Sequence, residues 1–281
     1  MKCMIMRLWT SVIALAFLLA GLAQPISSAR AAPTLQVPAS MDHSSWDALL
    51  KAYVDDQGLV DYAAWKASPA DLEALDRYIG EFAATGRENA TGVAEIAALI
   101  NVYNAITIRW MLDNYPTPSI RETSDSWKGV RWSIGGRKTS LDEIEHKNLR
   151  PLYGWKVHAT IVCAARSCPP LQREAYTAGN LEALTAQAYT AWLGRPDLNR
   201  YDLANHTVHV SPIFKWFKED FTGGGALARI LEDYGPAEQL EFFSKGDFKT
   251  RYLDYHWGIN DQGKLGEDYS AGLSAIFKSI F

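Results

Sequence analysis

A single segment near the middle of the chain restricts the possible folds more than any other feature. Between residues 93 and 112 the side chains are apolar on nearly every side of a helix, because polar residues in this stretch are few. They are Glu95, Asn101, Asn104, Thr107 and Arg109. A helix that is apolar almost all round is typical of a protein interior. The sequence therefore predicts a fold built around this central helix.

Asn101 and Asn104 are the anomaly within that helix. Each side-chain amide has two donor hydrogens and an acceptor oxygen, and burying it without partners costs about 2 kcal/mol or more. We therefore expect both amides to be hydrogen-bonded. One interpretation is a structural clamp on loop backbone, such as residues 166–170. The other is a role in a catalytic site, where an amide orients an imidazole or donates to an oxyanion.

The first 31 residues have the pattern of a signal peptide. Lys2 and Arg7 precede an apolar run over residues 8–22, and the small residues around Ala31 suit cleavage after that position. A membrane-spanning helix needs about 20 residues, so the run is short for one, although an uncleaved anchor is the alternative. We predict a signal peptide over 1–31, a flexible leader over 32–43 and a single domain over 44–281. The expected location is the periplasm or the outside of the cell, with no stable membrane insertion after signal cleavage.

The charge balance argues against nucleic acid as a partner. The chain has a formal net charge of -4, and removing the signal segment, which contains bases but no acids, makes the domain more acidic. Such a domain offers no positive field for a phosphate backbone. The glycine run at 223–225 lacks the lysine and threonine of a phosphate-binding loop. We therefore expect no cofactor.

The remaining pattern predicts an α+β fold, a single mixed domain in which the buried central helix packs on a small, largely antiparallel sheet. Gly135-Gly136 predicts a two-residue hairpin turn, and a capping box at 140–143 starts a helix that carries His146. Residues 155–163 alternate between an apolar and a partly polar face and are the best strand candidate. Further helices are predicted at 41–54, 69–83, 180–193, 212–221 and 226–234, a hairpin near residue 205, and a strand at 251–257.

Cys163 and Cys168 are the cysteines of the predicted mature domain. Cys163 ends the apolar face of the predicted strand, whereas Cys168 follows Arg166 and Ser167 in a predicted loop. A positive neighbour lowers the pKa of a thiol, so Cys168 is the candidate nucleophile. In an oxidising compartment the two cysteines could instead form a disulfide that closes a small loop. Metal ligation is a third interpretation.

His158 and His146 are candidate catalytic residues. Strand alternation places His158 on the polar face, from which the following loop could bring Cys168 back towards it. A core histidine bonded to backbone is the structural alternative. His146 shares a helix side with Glu143, so the pair could orient a base, hold a metal or fix the turn that follows. The sequence has no recognised zinc motif, and no metal site is predicted.

Several short motifs occur in an order that resembles one known family. They are INVYNA at 100–105, GGR at 135–137, IEH at 144–146, LRP at 149–151, the stretch 158–171 ending in SCPPL, SPIFKW at 211–216 and YLDY at 252–255. Together they resemble the domain of unknown function 547 family over roughly residues 44–260. The resemblance implies a fold similar to the papain and transglutaminase group of thiol enzymes. In that group the nucleophile usually begins the central helix, whereas this helix offers Asn101 and no cysteine.

Two hypotheses from different classes follow. The first is a thiol-dependent hydrolase or acyl transferase that acts on peptide-like amides, with Cys168 as nucleophile and His158 as base. Its orienting partner would be Asn104 or His146. The second is a non-catalytic module that binds a peptide or a small thiol in the same cleft. Candidate binding residues for this cleft are Asn101, Arg166 and Ser167.

Overall fold

The computed structural model describes residues 35–269, all of which belong to one compact unit. Its α-helices are α1 (Ser44–Tyr53), α2 (Tyr62–Lys66), α3 (Pro69–Glu81), α4 (Gly92–Asn114), α5 (Leu141–Glu143), α6 (Arg150–Tyr153), α7 (Leu181–Leu193), α8 (Ile213–Trp216), α9 (Leu227–Tyr234) and α10 (Leu240–Lys245). Its strands are β1 (Trp132–Ile134), β2 (Arg137–Thr139), β3 (Arg200–Asp202), β4 (Thr207–Val210) and β5 (Lys249–Tyr252). A π-helix occupies Ile144–Leu149, and 3-10 helices occupy Ile120–Glu122, Gly154–Ala159, Gly223–Gly225 and Ala237–Gln239.

Helix α4 forms the centre of the larger hydrophobic core, as its apolar sequence predicts. Every residue from 95 to 108 is buried. The neighbours of α4 are mainly helical, namely α2, α3 and the continuous segment 141–153 that joins α5, the π-helix and α6. Trp46, Trp65 and Tyr78 add large aromatic side chains to the same core. Burial of each such side chain stabilises the fold by about 1.5–3 kcal/mol.

The mixed α+β class is confirmed, but the central helix does not rest mainly on a sheet. The three-stranded sheet has the order β3-β4-β5, and its Val208 and Val210 belong to a second core cluster with α7 and α9. Strands of three or four residues are too short to cover a helix of 23 residues that is apolar on all sides. Helices therefore enclose α4 instead.

The two predicted hairpins are confirmed. Strands β1 and β2 pair antiparallel across Gly135 and Gly136, whose φ angles of 56° and 75° require the left-handed region that glycine tolerates. Strands β3 and β4 also pair antiparallel, whereas β5 joins β4 in parallel. The late strand ends at Tyr252, earlier than residue 257, and the helix predicted at 212–221 is limited to α8. The helices predicted at 180–193 and 226–234 are confirmed as α7 and α9.

The strand predicted at residues 155–163 is wrong. The 3-10 helix Gly154–Ala159 follows directly on α6, and the chain then continues without regular structure to Cys163. In place of a neighbouring strand, the side chain of Asn104 binds this segment at the carbonyl of Thr160 and the amide of Val162. Residues 157–162 are all buried, so the alternation of apolar and polar residue types does not mark a strand with one exposed face.

Residues 35–38 are part of the folded domain rather than of a flexible leader. Leu35 and Val37 are buried, the Leu35 amide donates to Asn148, and the Val37 carbonyl accepts from Ala90. Two buried apolar side chains explain why this stretch is held in place. The predicted signal peptide lies outside the described residues. Along residues 35–269 no helix has both the length and the apolarity needed to span a membrane.

Candidate functional site

A cavity of about 300 Å³ opens where the 141–153 segment, α8 and the chain around residues 161–169 meet. Its wall carries thiols, imidazoles, carboxylates and several aromatic rings. It is lined by Tyr103, Trp127, Lys128, Asp142, Glu145, His146, Arg150, His158, Ile161, Val162, Cys163, Cys168, Pro169, Ile213, Trp216, Phe217, Glu219, Tyr255 and Trp257. The structure thus brings both candidate cysteines and both candidate histidines to one cavity. Asn101, Asn104, Arg166 and Ser167 are not among the residues that line it.

Cys163 and Cys168 are free thiols that share one hydroxyl group. The Tyr255 oxygen lies 3.2 Å from each of the two sulfur atoms. The backbone amide of Cys163 also donates to the Cys168 sulfur over 3.0 Å. Cys168 is 6% exposed. Its sulfur is therefore held by donor groups on the cavity wall, and neither His146 nor His158 is among its hydrogen-bond partners.

This environment separates the acidities of the two thiols. Burial alone would raise the pKa of Cys168, but hydrogen bonds from the Cys163 thiol, the Tyr255 hydroxyl and the backbone hold it below its ordinary value. The hydrogen bond with Cys168, together with burial, raises the pKa of the Cys163 thiol. Burial also raises the pKa of Tyr255, so its hydroxyl stays protonated as a donor. Cys168 is the thiol that ionises first.

His158 is buried and paired with a carboxylate that the sequence analysis did not identify. Its Nε2 lies 2.8 Å from Oδ2 of Asp220, and its ring stacks on Phe217 at a centroid distance of 4.4 Å. Arg150 binds the same carboxylate through Nε at 2.6 Å. Burial alone would raise the pKa of Asp220, but hydrogen bonds from His158 and Arg150 hold it well below its ordinary value. His158 reaches the cavity from a 3-10 helix, not from the polar face of a strand.

His146 lies on the π-helix and does not pair with Glu143. Its Nδ1 lies 2.8 Å from Arg150, and its Nε2 lies 3.8 Å from Asp142, one turn earlier. Glu143 instead contacts Arg137 and accepts from Thr139. The wider turn of a π-helix changes which side chains share a face, so the spacing of three does not bring this pair together.

Arg166 and Ser167 hold the loop rather than the thiol. The Arg166 guanidinium donates to backbone carbonyls of residues 261, 263 and 265, and its amide donates to Gly258. Ser167 exchanges two hydrogen bonds with the backbone of His256. Arg166, whose guanidinium binds the 258–265 segment, is not among the groups that lower the pKa of Cys168.

Asn101 and Asn104 are clamps on backbone. Asn104 donates to the Thr160 carbonyl at 2.8 Å and accepts from the Val162 amide at 2.9 Å. Asn101 makes the equivalent pair of bonds to Tyr176, at 2.7 and 3.0 Å. The clamped segments are residues 160–162 and 176, not 166–170. Both amides are bonded to backbone, so Asn104 does not orient an imidazole.

Four residues of the site were not singled out from the sequence. Tyr255 holds both sulfurs and Asp220 holds His158, while the buried carboxylate of Glu145 accepts from Tyr103 over 3.1 Å. Tyr103, Glu145 and Tyr255 stand within the recognised motifs, so those motifs could have indicated them. Asp220 has no local signal. Among residues 35–269 there is no cluster of three or more histidine, cysteine or acidic side chains that could hold a metal ion.

Comparison with known proteins adds a family match. Residues 88–193, from just before α4 to the end of α7, match the model of the family described as "Protein of unknown function, DUF547". No curated protein matches the chain. No solved structure matches it either. The matched range contains both candidate cysteines, both candidate histidines and the two asparagine clamps.

Proposed function

Because the chain belongs to the DUF547 family, whose description assigns no activity, we propose a function from its site: a thiol-dependent hydrolase or acyl transferase that acts on peptide-like amides. Cys168 is the nucleophile. The proposal rests on one observation: on the wall of a cavity, the Cys168 sulfur accepts hydrogen bonds from the Cys163 amide and the Tyr255 hydroxyl. Donors of this kind favour the thiolate, the reactive form of cysteine.

His158 is the group we assign to proton transfer. Its Nε2 is held by Asp220, and no residue of the described chain hydrogen-bonds its Nδ1. A carboxylate that fixes one ring nitrogen leaves the other in position to exchange a proton with the substrate. Asp220 thus takes the orienting role that Asn104 and His146 do not fill. After attack by Cys168, His158 would protonate the leaving amine and then activate the water or amine that releases the acyl group.

The proposed relationship to the papain and transglutaminase group rests on chemistry. A thiol and an imidazole line one cavity here, and the imidazole is held by the Asp220 carboxylate, as that class of enzyme requires. The position of the nucleophile differs, because Cys168 follows the 3-10 helix Gly154–Ala159 and does not begin α4. Superposition of an experimental structure on enzymes of that group would test the relationship, and a different order of core elements would contradict it.

Export is a further part of the proposal and rests on the pattern of residues 1–31. Expression of the full chain in a bacterial host, followed by fractionation and N-terminal sequencing, tests it. We expect a protein in the periplasm or the medium that begins at Ala32. An intact N-terminus on a cytoplasmic protein would contradict export.

Acylation of Cys168 by an activated ester, p-nitrophenyl acetate, tests the enzymatic proposal. Trypsin cleaves after Lys156, Arg166 and Arg173, so the two cysteines fall in separate peptides, 157–166 and 167–173. We expect an acetyl group on peptide 167–173 of the wild type and of Cys163→Ser, but not of Cys168→Ser. His158→Gln should slow release of p-nitrophenol by about 100-fold, the usual size of a general acid–base contribution. Acylation confined to peptide 157–166, or none at all, would refute the mechanism.

One observation favours the second candidate, a non-catalytic module for a peptide or a small thiol. Neither imidazole hydrogen-bonds the Cys168 sulfur, although both belong to the same cavity. If this candidate is correct, Cys168→Ala keeps the affinity for a bound peptide or thiol, and the wild type is not acylated. Loss of both ligand binding and acylation in Cys168→Ala, relative to the wild type, would favour the enzyme.

A further inference from the structure

We propose that Cys168 and Cys163 form a dithiol pair that carries out thiol–disulfide exchange, with Cys168 attacking a low-molecular-weight disulfide and Cys163 resolving the mixed disulfide. This activity needs the two sulfurs and Tyr255 but not His158. It shares Cys168 with the proposed acyl transfer but does not depend on the proton transfer assigned to His158. It also gives Cys163 a chemical role, which the acyl-transfer mechanism does not.

The first support is the position of the two sulfurs. Both lie 3.2 Å from the Tyr255 oxygen, and the Cys168 sulfur lies 3.0 Å from the backbone nitrogen of Cys163. The chain between them turns back sharply, since Ala164 has a φ of 56° and the Cys168 amide donates to the Ala165 carbonyl. The loop thus brings the second thiol to the first, which a resolving cysteine requires.

The second support is the difference between the two thiols. Hydrogen bonds from Cys163 and Tyr255 lower the pKa of Cys168, whereas the pKa of Cys163 is raised. In an exchange reaction the more acidic thiol attacks first, and the same low pKa makes it the better leaving group for later reduction. The neighbouring thiol stays protonated until the mixed disulfide has formed.

The reaction balances without a metal or cofactor. The Cys168 thiolate attacks one sulfur of a disulfide R–S–S–R, the S–S bond breaks, and RS⁻ leaves and takes a proton. Cys163 then loses its proton and attacks the Cys168 sulfur of the mixed disulfide, which releases the second RS⁻. Two electrons pass from the protein dithiol to the substrate disulfide. The products are two RSH molecules and a Cys163–Cys168 disulfide.

The cavity limits the substrate to small disulfides. Its volume of about 300 Å³ is at the lower end of the range for small-molecule sites. Trp127, Trp216 and Trp257 give the wall an apolar surface beside the two sulfurs. The R group that stays on Cys168 in the mixed disulfide would rest against these rings. A folded protein could reach Cys168, which is 6% exposed, only through an extended segment.

Oxidised glutathione is the probe that tests the exchange. The reduced full chain is mixed with it, quenched with iodoacetamide and digested with trypsin. In the wild type we expect peptides 157–166 and 167–173 to be joined by a disulfide, with two glutathione molecules released per protein. In Cys163→Ser the glutathionyl group should remain on peptide 167–173. In Cys168→Ser the attack by Cys163 should be slower by tenfold or more.

Three controls make the result decisive. Cys163→Ala repeats the trapping experiment if the serine variant does not fold. In urea the tenfold difference between the two cysteine variants should disappear, because it depends on the folded site. A stable glutathionyl group on Cys168 of the wild type without a joined peptide pair would overturn the proposal, as would equal rates in the two folded variants. Acylation by p-nitrophenyl acetate is measured on the same samples, so either activity can fail while the other stands.

Discussion

At the scale of single residues, the Tyr255 hydroxyl links the two thiols of the site. It lies 3.2 Å from both sulfurs, and the half-buried Tyr255 ring packs against Trp216 and Trp257. Its own pKa is raised by burial, so it donates and does not compete as an anion. A single phenol therefore supports the thiolate of Cys168 and keeps Cys163 nearby.

Tyr255→Phe should lower the reactivity of Cys168. The variant keeps the ring packing but removes one hydrogen bond to the thiolate, an interaction of about 1.5–3 kcal/mol for a charged acceptor. We expect alkylation of Cys168 by iodoacetamide at pH 7 to slow by roughly tenfold and to require a higher pH. Peptide mapping after timed alkylation measures this. Tyr103→Phe is the control. It removes a hydroxyl that lines the same cavity but donates to Glu145, so it should alter the rate less.

At the scale of elements, α4 shapes the site through the backbone that it holds. Asn104 fixes residues 160–162, which lead directly into Cys163, whereas Asn101 fixes Tyr176 on the far side of the cysteine loop. The two asparagines are a turn apart on one helix and make the same type of bond. Of the two clamps, that of Asn104 lies next to the Cys163 amide, which donates to the Cys168 sulfur.

Asn104→Ala and Asn101→Ala should therefore have similar effects on stability but different effects on the thiol. Each leaves a buried carbonyl and a buried amide without a partner, at about 1–3 kcal/mol per group. We expect urea unfolding to give a loss of about 3 kcal/mol for either variant. The rate of Cys168 alkylation should fall in Asn104→Ala and stay near the wild-type value in Asn101→Ala. Equal rates in both variants would contradict a specific role for Asn104.

At the scale of the whole molecule, Asp220 joins parts of the chain that are far apart in sequence. It binds Arg150 at the start of α6 and His158 in the following 3-10 helix, and it lies beyond α8. The ring of His158 stacks on Phe217 and packs near Phe221 of the second core cluster. The His158–Asp220 pair thus connects the helical segment that follows residue 141 with the second core cluster, which contains the three-stranded sheet.

Asp220→Ala should destabilise the protein at neutral pH and lose its effect in acid. Removing one partner of a largely buried ion pair costs about 3 kcal/mol. The folded-state pKa of Asp220 is lowered, so its stabilisation is present above the unfolded value of about 3.9 and is lost as the pH falls through the folded value. Urea unfolding of the wild type and the variant between pH 7 and pH 2 measures the difference, which should shrink below about pH 4.

Glu219→Ala is the matched control for that experiment. Glu219 also binds Arg150, at 2.7 Å, but its side chain is 59% exposed. Exposed ion pairs contribute about 1 kcal/mol or less. The variant should therefore unfold at nearly the same urea concentration as the wild type. A loss as large as that of Asp220→Ala would show that Arg150, rather than the His158 pair, is the main source of the effect.

The sequence was sufficient for features that depend on neighbouring residues. The apolar pattern of α4 predicts its burial, Gly135-Gly136 predicts its hairpin, and buried amides predict that Asn101 and Asn104 find partners. The motifs also indicated the family. Each of these follows from side-chain periodicity, backbone conformation or the cost of an unpaired polar group, which are local properties.

Only the tertiary structure decided the chemistry of the site. Residues 155–163 alternate like a strand, but a strand needs a neighbour, and the Asn104 clamp replaces it. Arg166 stands two residues from Cys168 in sequence but faces the 258–265 segment, whereas Tyr255, 87 residues away, holds the sulfur. The sequence by itself determined the buried helix, the hairpins and the two thiols of one loop. Which groups touch those thiols depends on contacts between distant segments, because acidity and reactivity follow distance in space rather than position in the chain.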